Sequence, residues 1–334
     1  MAGAQSWGAE NVAPAGAGYD LRPLSTGEVL DRTFLLYRSH FALFASLAAV
    51  PAAINFITGI IQLLLINPTL TTTRHSQHVM VSRVPLVSAG VTILSVLIYF
   101  VFYGIMQAAT TWAVSELYLG RPASIGSAWR TATARWLRYV LVTLRQYWSI
   151  AWAPMLAFLL FLIPAALVSR RIGITAALLA FFFGLLLLIT CVYAVIAAIR
   201  VSLAIPASVI ESLGANAAVR RSMDLLAQRK FRIFLLGLLL VAISLVLGIA
   251  LSPLTFLALR AHGAERYLLQ MLQLSGGFLG GLLIGPVAAI ALCLFYFDER
   301  VRHEGFDIEF LMQRAGGSAP GNPLAEGTTS PEPA

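Results

Sequence analysis

The sequence predicts an all-α integral membrane protein: six transmembrane helices in three parallel repeats, each an interfacial amphipathic helix plus a transmembrane helix pair. Three observations predict it. Of 334 residues, 59% are hydrophobic and 11% charged, against about 25% charged in a soluble domain, and the mean hydropathy is +0.82. A single soluble core cannot hide that much apolar surface, so lipid solvates much of it. Six apolar segments are each long enough to cross ~30 Å of hydrocarbon at about 1.5 Å per residue. A short phrase precedes each pair of segments: Ser25-Thr26-Gly27, Ser124-Ile125-Gly126 and Ser212-Leu213-Gly214, spaced 99 and 88 residues apart.

Residues 1–20 are Ala/Gly-rich and lack a charged stretch ahead of an apolar run, so a disordered tail is expected rather than a cleaved signal peptide. Residues 313–334, rich in Gly, Ser, Pro and Thr, form a second such tail. Between them lies one membrane domain, 21–312, divided into repeats at about 22–120, 121–210 and 211–300.

The first repeat opens with Ser25 and Glu28 spaced as a capping box. Leu30, Phe34, Tyr37 and Phe41 recur at helical spacing as one apolar stripe. Its spans run from about Phe41 to Ile66 and from Val84 to Leu119, with Pro85 suited to a first helical turn. The second repeat is N-capped by Ser124. Ile125, Trp129, Ala132, Trp136 and Tyr139 make its stripe, with Arg130, Arg135 and Arg138 off it. Its spans cover about Tyr139 to Val168 and Ile172 to Ile205. The third repeat is N-capped by Ser212. Val219, Met223 and Leu226 form the stripe, while Arg220, Arg221 and Asp224 stay polar. Its spans cover about Phe231 to Leu259 and Leu268 to Phe297. Continuous apolar runs of this length are helices rather than the alternating strands of a barrel.

Seventeen of the 23 basic residues fall on the side of the two termini, and six on the other: Arg74, Arg83, Arg170, Arg171, Arg260 and Arg266. The positive-inside rule therefore places both termini in the cytoplasm. The net charge of +8 belongs to the headgroup region and not to nucleic acid. Arginines on one helix face and aromatics on the other mark Arg32, Arg38, Arg130, Arg135, Arg138, Arg220, Arg221 and Arg229 as a candidate cytoplasmic interface.

Other motifs have plain structural readings beside sharper ones. Gly276, Gly277, Gly280, Gly281 and Gly285 give the sixth span a small face for close helix packing, with dimerisation or a gating hinge as the alternatives. Pro51, Pro154 and Pro253 are expected to kink their helices and free a carbonyl. Cys191 and Cys293 read as small buried hydrophobes. His75 and His78 are i, i+3 in an outer loop, with no further ligand to complete a metal site. Glu116, Arg145 and Arg200 sit near helix ends, where snorkelling accounts for them. Residues 298–307, dense in both charge signs, are expected to form a solvated helix exit. No cofactor, metal or catalytic motif is present in the sequence, and no acid sits at a midplane position of the kind an ion-coupled pump uses.

The opening Arg22-Pro23-Leu24-Ser25-Thr26-Gly27-Glu28-Val29-Leu30-Asp31-Arg32 and the closing Tyr296-Phe297-Asp298-Glu299-Arg300-Val301-Arg302-His303-Glu304-Gly305-Phe306-Asp307 resemble a bacterial multi-pass family. That family is similar to the membrane domain accompanying some glycerophosphoryl diester phosphodiesterases. The resemblance spans roughly 20–312 and implies a six-helix inner-membrane domain. The diesterase chemistry of that family lies in a separate barrel of ~250 residues, for which this chain has neither the motifs nor the soluble length.

The expectation is a non-catalytic bacterial inner-membrane protein. It would act as a scaffold or accessory module touching anionic lipid, or a protein partner, through its basic cytoplasmic face. The alternative is a transporter or channel for a lipid-like or small substrate, which requires an open, polar space among the three helix pairs.

Overall fold

The structure, a computed structural model, describes residues 24–66, 84–168, 174–227 and 230–304. The described residues are helices joined by short turns and loops, without strands. Five of the helices are long and apolar enough to cross a membrane.

Helix α1 (Thr26–Ser39) begins at the capping box: Ser25 Oγ accepts from Glu28 N–H at 3.2 Å, and Glu28 Oε2 accepts from Ser25 N–H at 2.6 Å. Its buried stripe is Val29, Thr33 and Leu36, one position round from the predicted one. Phe34 and Phe41 of the predicted apolar stripe are exposed. Helix α2 (Phe41–Ile66) follows almost without a break and continues through Pro51. Helix α3 (Val84–Tyr118) has Pro85 in its first turn and ends at Gly120, which takes φ +78°, a left-handed value that glycine adopts without strain.

Helix α4 (Ile125–Ala134) is capped by Ser124, and Ser127 takes the place of the missing acid. Ser124 Oγ accepts from Ser127 N–H at 3.2 Å and Ser124 N–H donates to Ser127 Oγ at 3.1 Å. The chain then turns at Arg135 before α5 (Trp136–Val168). The predicted stripe from Ile125 to Tyr139 is therefore split over two helices: Ala132 and Tyr139 are buried, and Ile125 and Trp136 are exposed. Helix α5 runs through Pro154. Its first half carries Arg138, Arg145 and Gln146, and it is a sixth long helix beside the five apolar ones.

Helix α6 (Ile174–Val201) breaks at Ser202–Leu203 into a short buried helix, α7 (Ala204–Ile210), which an uninterrupted apolar run did not reveal. Helix α8 (Ala215–Leu225) is capped by Gly214 without a side-chain bond. Ser212 is not its N-cap; it sits two residues earlier with φ +56°. Helices α9 (Lys230–Arg260) and α10 (Ala264–Glu304) complete the chain, joined by a turn with Gly263 at φ +58°. At 41 residues, α10 is about 60 Å long, twice the hydrocarbon thickness.

The long helices form a closed ring in which each packs on the next: α2, α3, α5, α6, α9, α10 and back to α2, with α10 also crossing to α3. Half of the most apolar stretch of α10 is buried, and none of that of α6. Most of the core gathers at one end, where α1, α4, α7 and α8 cover the ring. Phe44, Leu36, Leu203, Leu226, Phe295 and Tyr296 are fully buried there. Elsewhere apolar side chains such as Phe181 and Leu259 stand 73% and 74% exposed. This division follows from the solvents: apolar faces must be hidden where water is the surroundings, whereas lipid tails solvate them as well as protein does.

The glycine face of α10 is shared between two neighbours. A Cβ on Gly276 or Gly280 would overlap Leu251 or Leu247 of α9, and one on Gly281 would meet the Ala52 Cβ of α2 at 3.3 Å. Gly285 lies against Ala48, and Gly277 faces open space. Cys293 is buried, with Sγ donating to Thr111 O at 3.6 Å; Cys191 is exposed on α6, contrary to expectation.

Candidate functional site

The residues of the predicted arginine interface have different surroundings. Arg221 of α8 is engaged by acids. Its Nε and Nη2 hold Glu211 at 3.0 and 2.9 Å, and Nη2 also contacts Glu304. Burial lowers its pKa, but the two carboxylates more than offset this, so the net shift is upward. Arg32 donates to Tyr118 OH at 3.2 Å. Arg135 and Arg138 reach across to Ser212, at its Oγ (3.3 Å) and its carbonyl (3.0 Å). Arg38, Arg130 and Arg220 are exposed. Arg229 lies outside the described residues, as do His75 and His78.

The closing charged segment starts buried and becomes exposed at His303 and Glu304, with 305–307 outside the described residues. Asp298 and Glu299 are buried where α10 enters the cap. Asp298 accepts from Leu24 N–H at 2.6 Å, from Arg232 Nη1 at 2.9 Å and from Arg302 Nε at 3.0 Å. Arg232 also reaches Glu299 at 3.1 Å and the Leu24 carbonyl at 2.8 Å, and lies over the Phe295 ring at 5.4 Å. Arg302 donates to the same carbonyl. A second cluster joins Glu211, Arg221, Arg300, Glu304 and the Tyr296 hydroxyl. Sequence reading missed the burial because both acids sit in a charged run; the signal was the apolar Phe295-Tyr296-Phe297 directly before them, which continues the packed helix into the cap.

A separate basic site is built from arginines near helix ends, Arg145 and Arg200. Arg145, Trp148, Ser149 and Trp152 share one face of α5 at i, i+3, i+4 and i+7. Tyr193, Ile196, Ala197 and Arg200 do the same on α6. These faces, with Val219 and Met223 of α8, enclose a groove of about 720 Å³. Arg145 is positioned by Asn216 Oδ1 at 3.2 Å and Ser149 Oγ at 2.5 Å. Trp152 Nε1 donates to Tyr193 OH at 2.9 Å, their rings edge to face at 5.7 Å. Among the described residues no carboxylate lines the groove, and the exposed Arg200 has no side-chain acceptor. Two arginines, two indoles and a phenol at the edge of an apolar helix pair can hold an anionic head while the rings sit against acyl chains.

Within the ring, a cavity of about 160 Å³ has a mostly apolar wall in which neutral polar groups, Tyr103, Gln107, Thr143, Gln146 and Ser202, are set. Gln107 Nε2 donates to Tyr103 OH at 2.8 Å. No family model, curated protein or solved structure matches the chain.

Proposed function

We propose that this is a bacterial inner-membrane protein with six spans in three parallel repeats, both termini cytoplasmic and no catalysis of its own. In this reading it is a scaffold or accessory module that engages anionic phospholipid at its basic face, of the kind its opening and closing motifs resemble. The observation that carries the lipid reading is the α5/α6 groove, with Arg145 and Arg200 beside Trp148, Trp152 and Tyr193 and no acid among its lining residues. Support for the repeats comes from the ring order. The second helix of each pair packs on the first helix of the next, as α3 on α5, α6 on α9 and α10 on α2. Each short helix leans on the preceding pair, α4 on α3, α8 on α5 and α6, and α1 on α10. Helix α5, at 33 residues, is long enough to be the sixth span.

Each basic contact with an anionic surface contributes about 1 kcal/mol. Neutralising two arginines should therefore weaken phosphatidylglycerol retention by roughly 30-fold. Native mass spectrometry of the full chain, released from mixed phosphatidylglycerol and phosphatidylcholine micelles, reads this directly. The variant R145Q/R200Q is expected to lose its phosphatidylglycerol preference. R130Q/R135Q/R138Q should change it less, because two of those side chains are turned to Ser212. Undiminished preference in both variants overturns the reading.

The transport alternative draws on the central polar cavity. Its volume of about 160 Å³ is below the ~300 Å³ at which ligand pockets begin and corresponds to about five waters, so the lipid-binding reading stands first.

A further inference from the structure

A third cavity lies at the end of the ring away from the cap, between α2 and the start of α10. Its volume is about 430 Å³, within the ordinary range for ligand sites. Asn55 and Gln62 of α2 and Arg266, Gln270 and Gln273 of α10 line it, with Phe56, Leu63 and Phe278 as apolar wall. Among the described lining residues Arg266 is the one carrying a charge, and it stands at the third position of α10. Gln273 is about 10 Å further along. Polar groups thus run from the helix end well into the length of both helices.

Two polar atoms there need a partner. Arg266 Nε and Gln270 Oε1 are shielded from solvent, and neither has a hydrogen bond among the described residues. A shielded, unpaired donor or acceptor costs about 1–3 kcal/mol, more for a charged group, a cost that a ligand meeting both atoms would relieve. Gln62, in contrast, is tied to Thr92 Oγ1 at 3.2 Å, which fixes one wall. Gly277 keeps the slot open, since a Cβ there meets nothing within 4 Å.

We propose that this slot binds the head of an anionic phospholipid. One cation with carboxamides and no acid suits a single negative charge. The Gln270 amide calls for a hydroxyl, which a phosphoglycerol head carries. The aromatic wall, with Phe56 and Phe278 at 5.7 Å, suits the first carbons of its chains. The flanking exposed Ile57, Ile61, Leu272 and Leu279 place the opening on the lipid-facing surface, which favours a lipid over a free anion. In the orientation proposed above this is the outer leaflet, so the protein would hold anionic lipid on both faces at independent sites.

The test uses the full chain in phosphatidylcholine nanodiscs doped with a photoactivatable phosphatidylglycerol or phosphatidylcholine, followed by peptide mapping. Phosphatidylglycerol is expected to label residues 55–63 and 270–278 about tenfold more than phosphatidylcholine, the ratio that one charge-assisted contact supplies. R266Q should remove that preference. G277L should block labelling by filling the slot, and it decides the matter if R266Q fails to fold. Labelling of the α5/α6 groove should persist in both, and R145Q/R200Q should remove only the groove signal, so the two sites fail separately. Equal labelling by the two lipids overturns the proposal. So does indifference to both variants, or loss of label to millimolar inorganic phosphate.

Discussion

Asp298→Asn is the sharpest probe of what holds the cap to the membrane ring. The carboxylate is fully shielded and serves Leu24 N–H, Arg232 and Arg302 together. Asparagine keeps the shape and one acceptor, but it turns an NH₂ toward guanidinium donors and removes the charge they neutralise. Breaking a buried ion pair from one side costs about 3–5 kcal/mol. Arg232 and Arg302 retain 21% and 23% of their side-chain exposure, and Glu299 still faces Arg232, so the low end, about 3 kcal/mol, applies. At roughly 2–4 °C per kcal/mol, the apparent Tm should fall by roughly 6–12 °C. Fluorescence-detected size exclusion after heating, in a mild detergent, measures it, with Arg130→Gln as the exposed control. A D298N Tm within about 1 °C of the parent would refute the view that this cluster stabilises the fold.

Gly281→Leu should destabilise by about 1–3 kcal/mol by overpacking, because the Ala52 Cβ of α2 already stands 3.3 Å from where its Cβ would be; the same heating assay checks it. Ser25→Ala and Ser124→Ala should each cost about 1 kcal/mol as lost N-caps, whereas Ser212→Ala should cost less, because Ser212 caps no helix. Denaturation midpoints of the three variants, ranked side by side, test that order.

Much of the architecture was legible. Long apolar runs announced the long helices because the membrane demands length and continuity, and Ser25–Glu28 announced α1 because a capping box is local chemistry. Faces were harder to read. Helix α1 buries Val29, Thr33 and Leu36 and exposes Phe34, and Phe41 at the start of α2 is exposed as well, since aromatics at a membrane boundary gain as much from lipid as from core. The break at Arg135 and the separate α7 were hidden because nothing in the local sequence forbids a continued helix; tertiary packing imposes both turns. At the candidate site, the Arg-Trp faces of α5 and α6 were written in i, i+3, i+4, i+7 spacing. They were masked because each arginine, taken alone, is explained by its position near a helix end.

Leu24, just ahead of the first helix, has both its N–H and its carbonyl held by side chains from the last two helices. Synthesis runs in the opposite sense: α1 emerges some 270 residues before Asp298. Until α10 is threaded, Arg232 lacks its buried acids, and α2 lacks the neighbour that closes the ring. The contacts that hold Leu24 can therefore form only after the last helix is in place, so the first residues of the fold are fixed last.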